Sequence, residues 1–146
     1  MAQFRFSLEK ILRWRAVELT REEVKLQRLI QEKARVELML ARVASERSGL
    51  SASLTALPGL QGSDLRASAA YDLRLRQEVQ KLTDALARVH NSLAAQQKIF
   101  AAAKLRLRLL EELKARRLER WEYEAARQLE TLAAESYLAG WNRDQP

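Results

Sequence analysis

Apolar residues recur at alternating steps of four and three along the first third of the chain. Eleven of the fifteen positions that these steps reach are apolar. The positions are Leu8, Leu12, Arg15, Leu19, Glu22, Leu26, Leu29, Lys33, Val36, Leu40, Val43, Arg47, Leu50, Leu54 and Leu57. A period of 3.5 residues is typical of helices that pair along one seam and supercoil with a left hand. The pattern therefore predicts a helix over about residues 7–56, with Ser7 as its N-cap.

A second seam with the same period lies later in the chain. Ten of its eleven positions are apolar, and they are Leu75, Val79, Leu82, Leu86, Val89, Leu93, Gln96, Phe100, Ala103, Leu107 and Leu110. Beyond them the apolar positions shift to Leu113, Leu118, Trp121, Ala125, Leu129 and Leu132. This shift indicates either a stutter or the end of close pairing. A second helix is expected over about residues 65–139, ending near Gly140.

The two seams are separated by the strongest turn signal in the chain. The segment Leu57-Pro58-Gly59-Leu60-Gln61-Gly62 combines a Pro-Gly pair with a second glycine, which predicts a loop over about residues 57–64. Asp64 is a candidate cap for the second helix. Two seams joined by one turn predict an all-α fold over 1–146, a single elongated antiparallel coiled-coil hairpin. Pairing of each helix with a second copy is the alternative, but a short loop costs little closure entropy and favours the hairpin.

Composition supports helices and excludes several other classes. Ala, Glu, Lys, Leu and Arg fill 90 of the 146 positions, a bias typical of coiled coils and long helices. Cysteine is absent, which excludes a disulfide framework and cysteine-based zinc sites. We find no phosphate-binding loop, no nucleophile elbow and no metalloprotease motif, and His90 is the only histidine. We therefore expect no enzyme, no cofactor and no small-molecule substrate.

The net charge of +7 is concentrated in two stretches. Four cations against one glutamate near the N-terminus give +3, and seven cations against three glutamates over residues 104–120 give +4. An antiparallel hairpin places these stretches side by side. We call the set the basic collar: Arg5, Lys10, Arg13, Arg15, Lys104, Arg106, Arg108, Lys114, Arg116, Arg117 and Arg120. It is interpreted either as a solvated face or as a stem that docks into an acidic protein ring or cleft.

A second candidate surface lies near the turn. Leu50, Leu54, Leu57, Leu60, Tyr71, Leu73 and Leu75 give this region many apolar groups and little charge. They either pack in the seam or leave an apolar patch for a partner. Trp14 and Trp121, near the other end, are interpreted as packing residues. Nucleic acid is an unlikely partner because such grooves add aromatic stacking groups along the basic face.

Three stretches of the chain resemble the motifs of a known family. The N-terminal motif reads Phe4-x-Phe6-x-Leu8-Glu9-Lys10-Ile11-Leu12-x-x-Arg15 and is similar to the signature of the FliJ family of the flagellar type III export apparatus. Asp64-Leu65 with Tyr71 and Leu75 resembles the pattern after the family's loop. The C-terminal half of the family is resembled by Ala103-Lys104, by Leu110-Glu111-Glu112-Leu113-Lys114-x-Arg116-Arg117 and by Glu122 to Glu135. The resemblance covers nearly the whole chain.

This resemblance implies an antiparallel coiled coil similar to the central stalk of rotary ATPases. It implies binding to the hexameric export ATPase, to the cytoplasmic domain of the export gate and to export chaperones. The expected location is cytoplasmic, peripherally associated with the inner membrane at the flagellar base. We assign the ATPase contact to Arg13, Arg15, Arg116, Arg117 and Arg120, and the gate contact to Leu50, Leu54, Tyr71 and Leu75. The alternatives are a dimeric basic coiled-coil scaffold that binds nucleic acid or another acidic partner, and a stalk homologue of an injectisome.

Overall fold

The structure is a computed structural model that describes residues 2–56, 58–59 and 61–145. Within these ranges the chain forms two α-helices, α1 (Glu9–Ala56) and α2 (Gly62–Asp144), and no strand. The helices pack against each other. Their contacts run in opposite directions along the chain, since Arg47 meets Asp72 while Glu22 meets Gln96. The predicted all-α helical hairpin is confirmed.

The contacts of the chain divide it into two compact units. The turn unit is Thr20–Ala101, and the terminal unit combines Met1–Leu19 with Ala102–Pro146. Both helices pass through both units because each helix is continuous.

Both predicted seams are confirmed in the described residues. Every position of the first seam from Leu8 to Leu54 is buried or half-buried, and so is every position of the second seam from Leu75 to Leu110. Leu57, the last position of the first seam, lies outside the described residues. Each seam residue excludes water from one side only, because a two-helix interface leaves the edges of its side chains exposed. The fold is therefore stabilised by many partial burials rather than by a closed core.

The start of α2 differs from the prediction. The helix begins at Gly62 rather than at about residue 65, because Gln61 is its N-cap. The Gln61 carbonyl accepts a hydrogen bond from the Leu65 N–H (3.2 Å). The Asp64 carboxylate accepts one from the Gln61 N–H (3.4 Å), so Asp64 acts from the first turn instead of from the cap position. Before this cap, Gly59 takes a φ of 84°, a left-handed conformation that glycine adopts without a Cβ clash.

Two other end signals, Ser7 and Gly140, behave differently from the prediction, whereas α1 continues to Ala56 as predicted. The Leu12 N–H donates to the Leu8 carbonyl (2.9 Å), so Leu8 rather than Ser7 is the N-cap of α1. Near the turn, Ser53 donates its hydroxyl to the Gly49 carbonyl (2.9 Å), and the helix runs through this serine-rich part without a break. At the other end α2 passes Gly140 and continues to Asp144.

Candidate partner-binding surfaces

The terminal unit contains a non-helical N-terminal segment that packs along α2. Residues 2–6 are not helical. The Phe4 and Trp121 rings lie 6.0 Å apart between centroids, and the Arg117 guanidinium carbon lies 5.5 Å from the centroid of Phe6. Two residues of this segment thus advance along four residues of α2. That ratio fits extended chain, which rises about 3.3 Å per residue against about 1.5 Å for a helix.

The two basic stretches meet in this unit, as predicted. Glu9 and Lys114 form an ion pair across the helices (2.9 Å), and the Ser7 hydroxyl accepts a hydrogen bond from Arg117 (2.9 Å). Further along, Arg106 lies 3.7 Å from the carboxylate of Glu18. The sequence count of charges therefore describes a collection of cations that are close together in space.

Carboxylates within the chain neutralise part of this collar. Arg13 lies 3.8 Å from Glu9, and Arg15 lies 2.8 Å from Glu18. Glu112 accepts both Arg108 (3.1 Å) and Arg116 (3.8 Å). Three of the five predicted ATPase contacts, Arg13, Arg15 and Arg116, thus already have an acidic partner. The pairs of Arg13 and Arg116 are exposed and weak, at about 0–1 kcal/mol, so a stronger acidic partner can displace them, whereas the pair of Arg15 and Glu18 is half-buried.

The rest of the collar has no carboxylate partner among the described residues. These cations are Arg5, Lys10, Lys104, Arg117 and Arg120. Arg117 is held in place by the Phe6 ring and the Ser7 hydroxyl, whereas Arg120 is exposed.

Sequence reasoning counted Arg5, Lys10 and Lys104 in the charge but did not select them as contacts. The sequence around Lys10 and Lys104 does contain a feature that could have identified them as unpaired cations. Lys10 and Lys104 have no Asp or Glu three or four positions away, so no neighbour on the same helix face can neutralise them.

The two tryptophans of this unit have different environments. Trp121 is half-buried against Phe4 and packs as predicted. Trp14 is 56% exposed, and the Arg15 guanidinium lies over its ring, at 4.7 Å from the centroid. The interpretation of Trp14 as a packing residue was wrong, because its position precedes the seam residue Arg15 and faces away from α2.

Helix α2 loses its cover after Ala125. Leu113, Leu118, Trp121 and Ala125 of the shifted apolar line are half-buried. Every described residue from 126 to 145 is exposed, Leu129 and Leu132 included. The shift therefore marks a change of register up to Ala125, after which close pairing ends. We call residues 126–145 the uncovered segment.

The turn unit contains an open apolar groove beside the turn. Its volume is about 530 Å³, and Leu50, Leu54 and Leu65 contribute its apolar lining. At its edge Asp72 binds Arg47 from α1 (3.0 Å) and Arg76 from α2 (2.9 Å). This arrangement links the two helices and leaves a net charge of +1 at the edge of the groove.

The predicted gate contacts do not share one exposed surface. Leu50 and Leu54 line the groove, while Leu75 is only 6% exposed and lies in the seam. Leu75 is therefore not available to a partner in this structure. Tyr71 is exposed and donates its hydroxyl to Glu46 of α1 (3.2 Å). Leu60, which was grouped with them, lies outside the described residues.

A polar pair occupies the seam of the turn unit. Gln96 is buried, and its amide donates to the Glu22 backbone carbonyl (3.1 Å) and to the Glu22 carboxylate. The hydrogen bond from Gln96 lowers the pKa of the Glu22 carboxyl; burial opposes this effect and Lys25 adds to it. Both residues stood out as polar exceptions within the apolar seams. Pairing them requires the antiparallel register, which the sequence pattern did not fix.

Other kinds of site find no support in the part of the chain that is described. No group of three or more His, Asp or Glu side chains in these ranges is arranged to hold a metal ion. No helix there is long and apolar enough to cross a membrane. His90 is exposed to solvent.

Comparison with known proteins adds no identity. No family model, no curated protein and no solved structure matches the chain. The resemblance to the FliJ family therefore remains a prediction from the sequence motifs.

Proposed function

We propose that this chain is a non-enzymatic stalk and adaptor of a flagellar type III protein export apparatus. In this proposal the terminal unit docks into the acidic entrance of the hexameric export ATPase. The observation that carries the proposal is the group of five collar cations without a carboxylate partner among the described residues. The FliJ-like N-terminal motif supports it, since Phe4 and Phe6 are the residues that attach the N-terminal segment to α2.

The collar cations differ in what they can contribute to docking. Arg117 is preorganised by the Phe6 ring and Ser7, so it loses little side-chain freedom when it meets a carboxylate. Arg120 is exposed and can extend toward a partner. Arg13 and Arg116 contribute less, because each must exchange a carboxylate of its own chain for one of the ring. Attraction between opposite charges then accelerates association and sets the orientation.

The same proposal assigns the turn unit to further partners. The groove of the turn unit, with Leu50, Leu54 and the exposed Tyr71, is the candidate contact for the export gate and for export chaperones. The protein would act on the cytoplasmic side, peripherally associated with the inner membrane at the flagellar base. An injectisome stalk would use the same surfaces, and the identity of the ATPase that binds distinguishes the two systems.

Co-elution with the cognate export ATPase and its ATPase rate test the proposal. The variant combines Arg117→Glu with Arg120→Glu, and the control combines Arg74→Glu with Arg88→Glu, two exposed arginines of the turn unit with the same change of charge. We expect the first variant to weaken binding by about tenfold or more and to lower stimulation of the ATPase. The control should behave as the wild type. Unchanged binding of the first variant at moderate salt would refute docking by the collar.

A second candidate is a basic coiled coil that binds nucleic acid. The exposed Trp14 ring beside Arg15 favours it, because an aromatic face next to cations can stack on bases. Affinity should then fall linearly with the logarithm of salt concentration. A titration with single-stranded DNA that detects no binding at low salt removes this candidate.

A further inference from the structure

The uncovered segment is an apolar helix face whose surroundings are acidic. Leu129 and Leu132 are exposed and continue the helix face on which Trp121 and Ala125 pack. Residues 122–135 carry four glutamates and one arginine, a net charge of −3. None of these glutamates forms an ion pair within the described residues. This part of α2 therefore fits an apolar partner surface edged by cations.

The same unit exposes such a surface on α1. Ile11, Trp14 and Val17 are each between 45% and 56% exposed. At 100° per residue Val17 and Trp14 lie on the side of α1 away from the seam positions, and Ile11 lies at the edge between that side and the seam. Lys10 and Arg13 share that side, and Lys10 has no acidic partner among the described residues. We call these five residues the α1 outer face.

We propose that two copies of this chain associate antiparallel through their terminal units. The uncovered segment of each copy then packs on the α1 outer face of the other. The proposal is independent of the proposed function, because it uses only complementary surfaces of one chain.

The geometry allows both contacts to form at once. The pairs Glu9–Lys114 and Glu18–Arg106 place Trp14 level with about residue 110 of α2. Leu132 lies about 22 residues further along, or about 33 Å. A two-fold axis that runs perpendicular to α2 and passes beside it, level with Trp121, therefore brings Leu132 of each copy level with Trp14 of the other. The contact is closed and uses the same surface twice, as two-fold dimers do.

Within this arrangement the apolar face of α2 that carries Trp121 and Ala125 stays in use beyond Ala125. Up to Ala125 that face meets α1 and the N-terminal segment of its own chain. Beyond Ala125 it would meet α1 of the second copy. The same face of α2 would thus contact its own chain before Ala125 and the second copy after it.

Charge argues for this occupant over the simpler pairing of two uncovered segments. Each uncovered segment has a net charge of −1, from three acidic and two basic residues, so pairing two of them gains no charge complementarity. Against the α1 outer face, Glu124 and Glu135 instead approach the basic collar of the second copy. The same collar takes part in the proposed ATPase docking, so the dimer and the docked chain would exclude each other.

Sedimentation velocity over a range of concentrations and salt is the first test. Glu124→Lys with Glu135→Lys should raise the dimer dissociation constant by about tenfold or more. Lys10→Glu with Arg13→Glu should do the same, and combining all four changes should restore association. The matched control is Glu32→Lys with Glu78→Lys, two exposed glutamates of the turn unit. A wild type that stays monomeric at all concentrations, or a combined variant that is as weak as either reversal, would overturn the proposal.

Cross-linking tests the geometry, and the absence of cysteine makes it specific. Chains that carry Lys10→Cys and chains that carry Gln128→Cys are mixed in equal amounts and treated with a short bis-maleimide. We expect the mixture to cross-link and each variant alone to remain uncross-linked. Cross-linking of the Gln128→Cys chains alone would indicate paired uncovered segments and would overturn the antiparallel arrangement. Both experiments use the isolated chain, so their results do not depend on whether the chain binds the ATPase.

Discussion

The two units contain the same heptad pattern but use it differently. In the turn unit each helix provides the other with a partner from Thr20 to Ala101, and every predicted seam position described within it is buried or half-buried. In the terminal unit α1 begins only at Glu9, and non-helical residues extend the cover of α2 to Ala125. The remaining residues of α2 are helical, but their side chains are exposed. An apolar stripe in a sequence therefore predicts a helix face, while burial depends on how far its partner reaches.

The polar contacts between the helices also differ between the two units. In the turn unit Asp72 binds an arginine from each helix, and Gln96 is satisfied by Glu22 across the seam. In the terminal unit five cations and the glutamates of the uncovered segment have no ionic partner among the residues described. Exposed cations without an ion pair among the described residues occur in the turn unit as well, Arg74 and Arg88 among them, so the units differ in the polar groups held within the helix contact rather than in unpaired charge.

The largest expected effect compares one leucine from each unit. Leu93 is 9% exposed in the turn unit, and Leu132 is 58% exposed in the uncovered segment. Leu93→Ala should lower the free energy of unfolding by about 2–4 kcal/mol, because it leaves a gap in the seam. Leu132→Ala should change it by no more than about 0.5 kcal/mol. Urea denaturation at a concentration where the chain is monomeric measures both, and equal losses would show that the uncovered segment is packed.

An intermediate effect is expected for the N-terminal segment. Phe6 is buried, and Phe6→Ala should release residues 2–8 from α2 at a local cost of about 2 kcal/mol. Amide hydrogen exchange should then accelerate over residues 113–125 and stay unchanged over the turn unit. Ile11→Ala, on an exposed aliphatic side chain of the same unit, is the control. Acceleration spread evenly over both units would mean that they do not unfold separately.

The smallest expected effect concerns the pH dependence of the turn unit. The native pKa of Glu22 is lowered, so its carboxylate stabilises the folded state above its unfolded pKa of about 4.3. That contribution is lost as the pH falls through the native pKa. Glu22→Gln should therefore lower the melting temperature at pH 7 and have no effect in strong acid. Glu23→Gln, at the exposed neighbour, provides the control. A Glu22→Gln loss that is the same at both pH values would assign the effect to packing.

The sequence predicted the seams because a 3.5-residue period leaves one solution for a helix that pairs along one face. The buried and half-buried seam positions from Leu8 to Leu54 and from Leu75 to Leu110 follow from their spacing alone, without knowledge of the segment that packs against them. The turn at Gly59 was equally local, since its positive φ is a property that glycine accommodates by itself. The ends were less predictable. Gln61 replaced Asp64 as a cap because capping depends on backbone placement rather than on residue type alone.

The candidate surfaces were only partly predictable, because they depend on the register between the helices. A charge count located the collar, but it did not show that Arg15 meets Glu18 or that Lys114 meets Glu9. Nor did it separate Leu75, which is buried, from Tyr71, which is exposed four positions earlier. Such distinctions depend on which side chain lies opposite, and that information is spread over two distant parts of the chain.

The contacts of the N-terminal segment with α2 restrict the changes in length that this segment can accept. Phe4 and Phe6 are two residues apart, and the groups that they meet on α2, Trp121 and Arg117, are four apart. Each residue of the extended N-terminal segment thus spans the same length as two residues of helix α2. Inserting one residue after Phe6 would turn both aromatic rings away from α2, whereas inserting two would return them to the same face about one helical turn further on. Proteins built on this arrangement would tolerate length changes here in pairs.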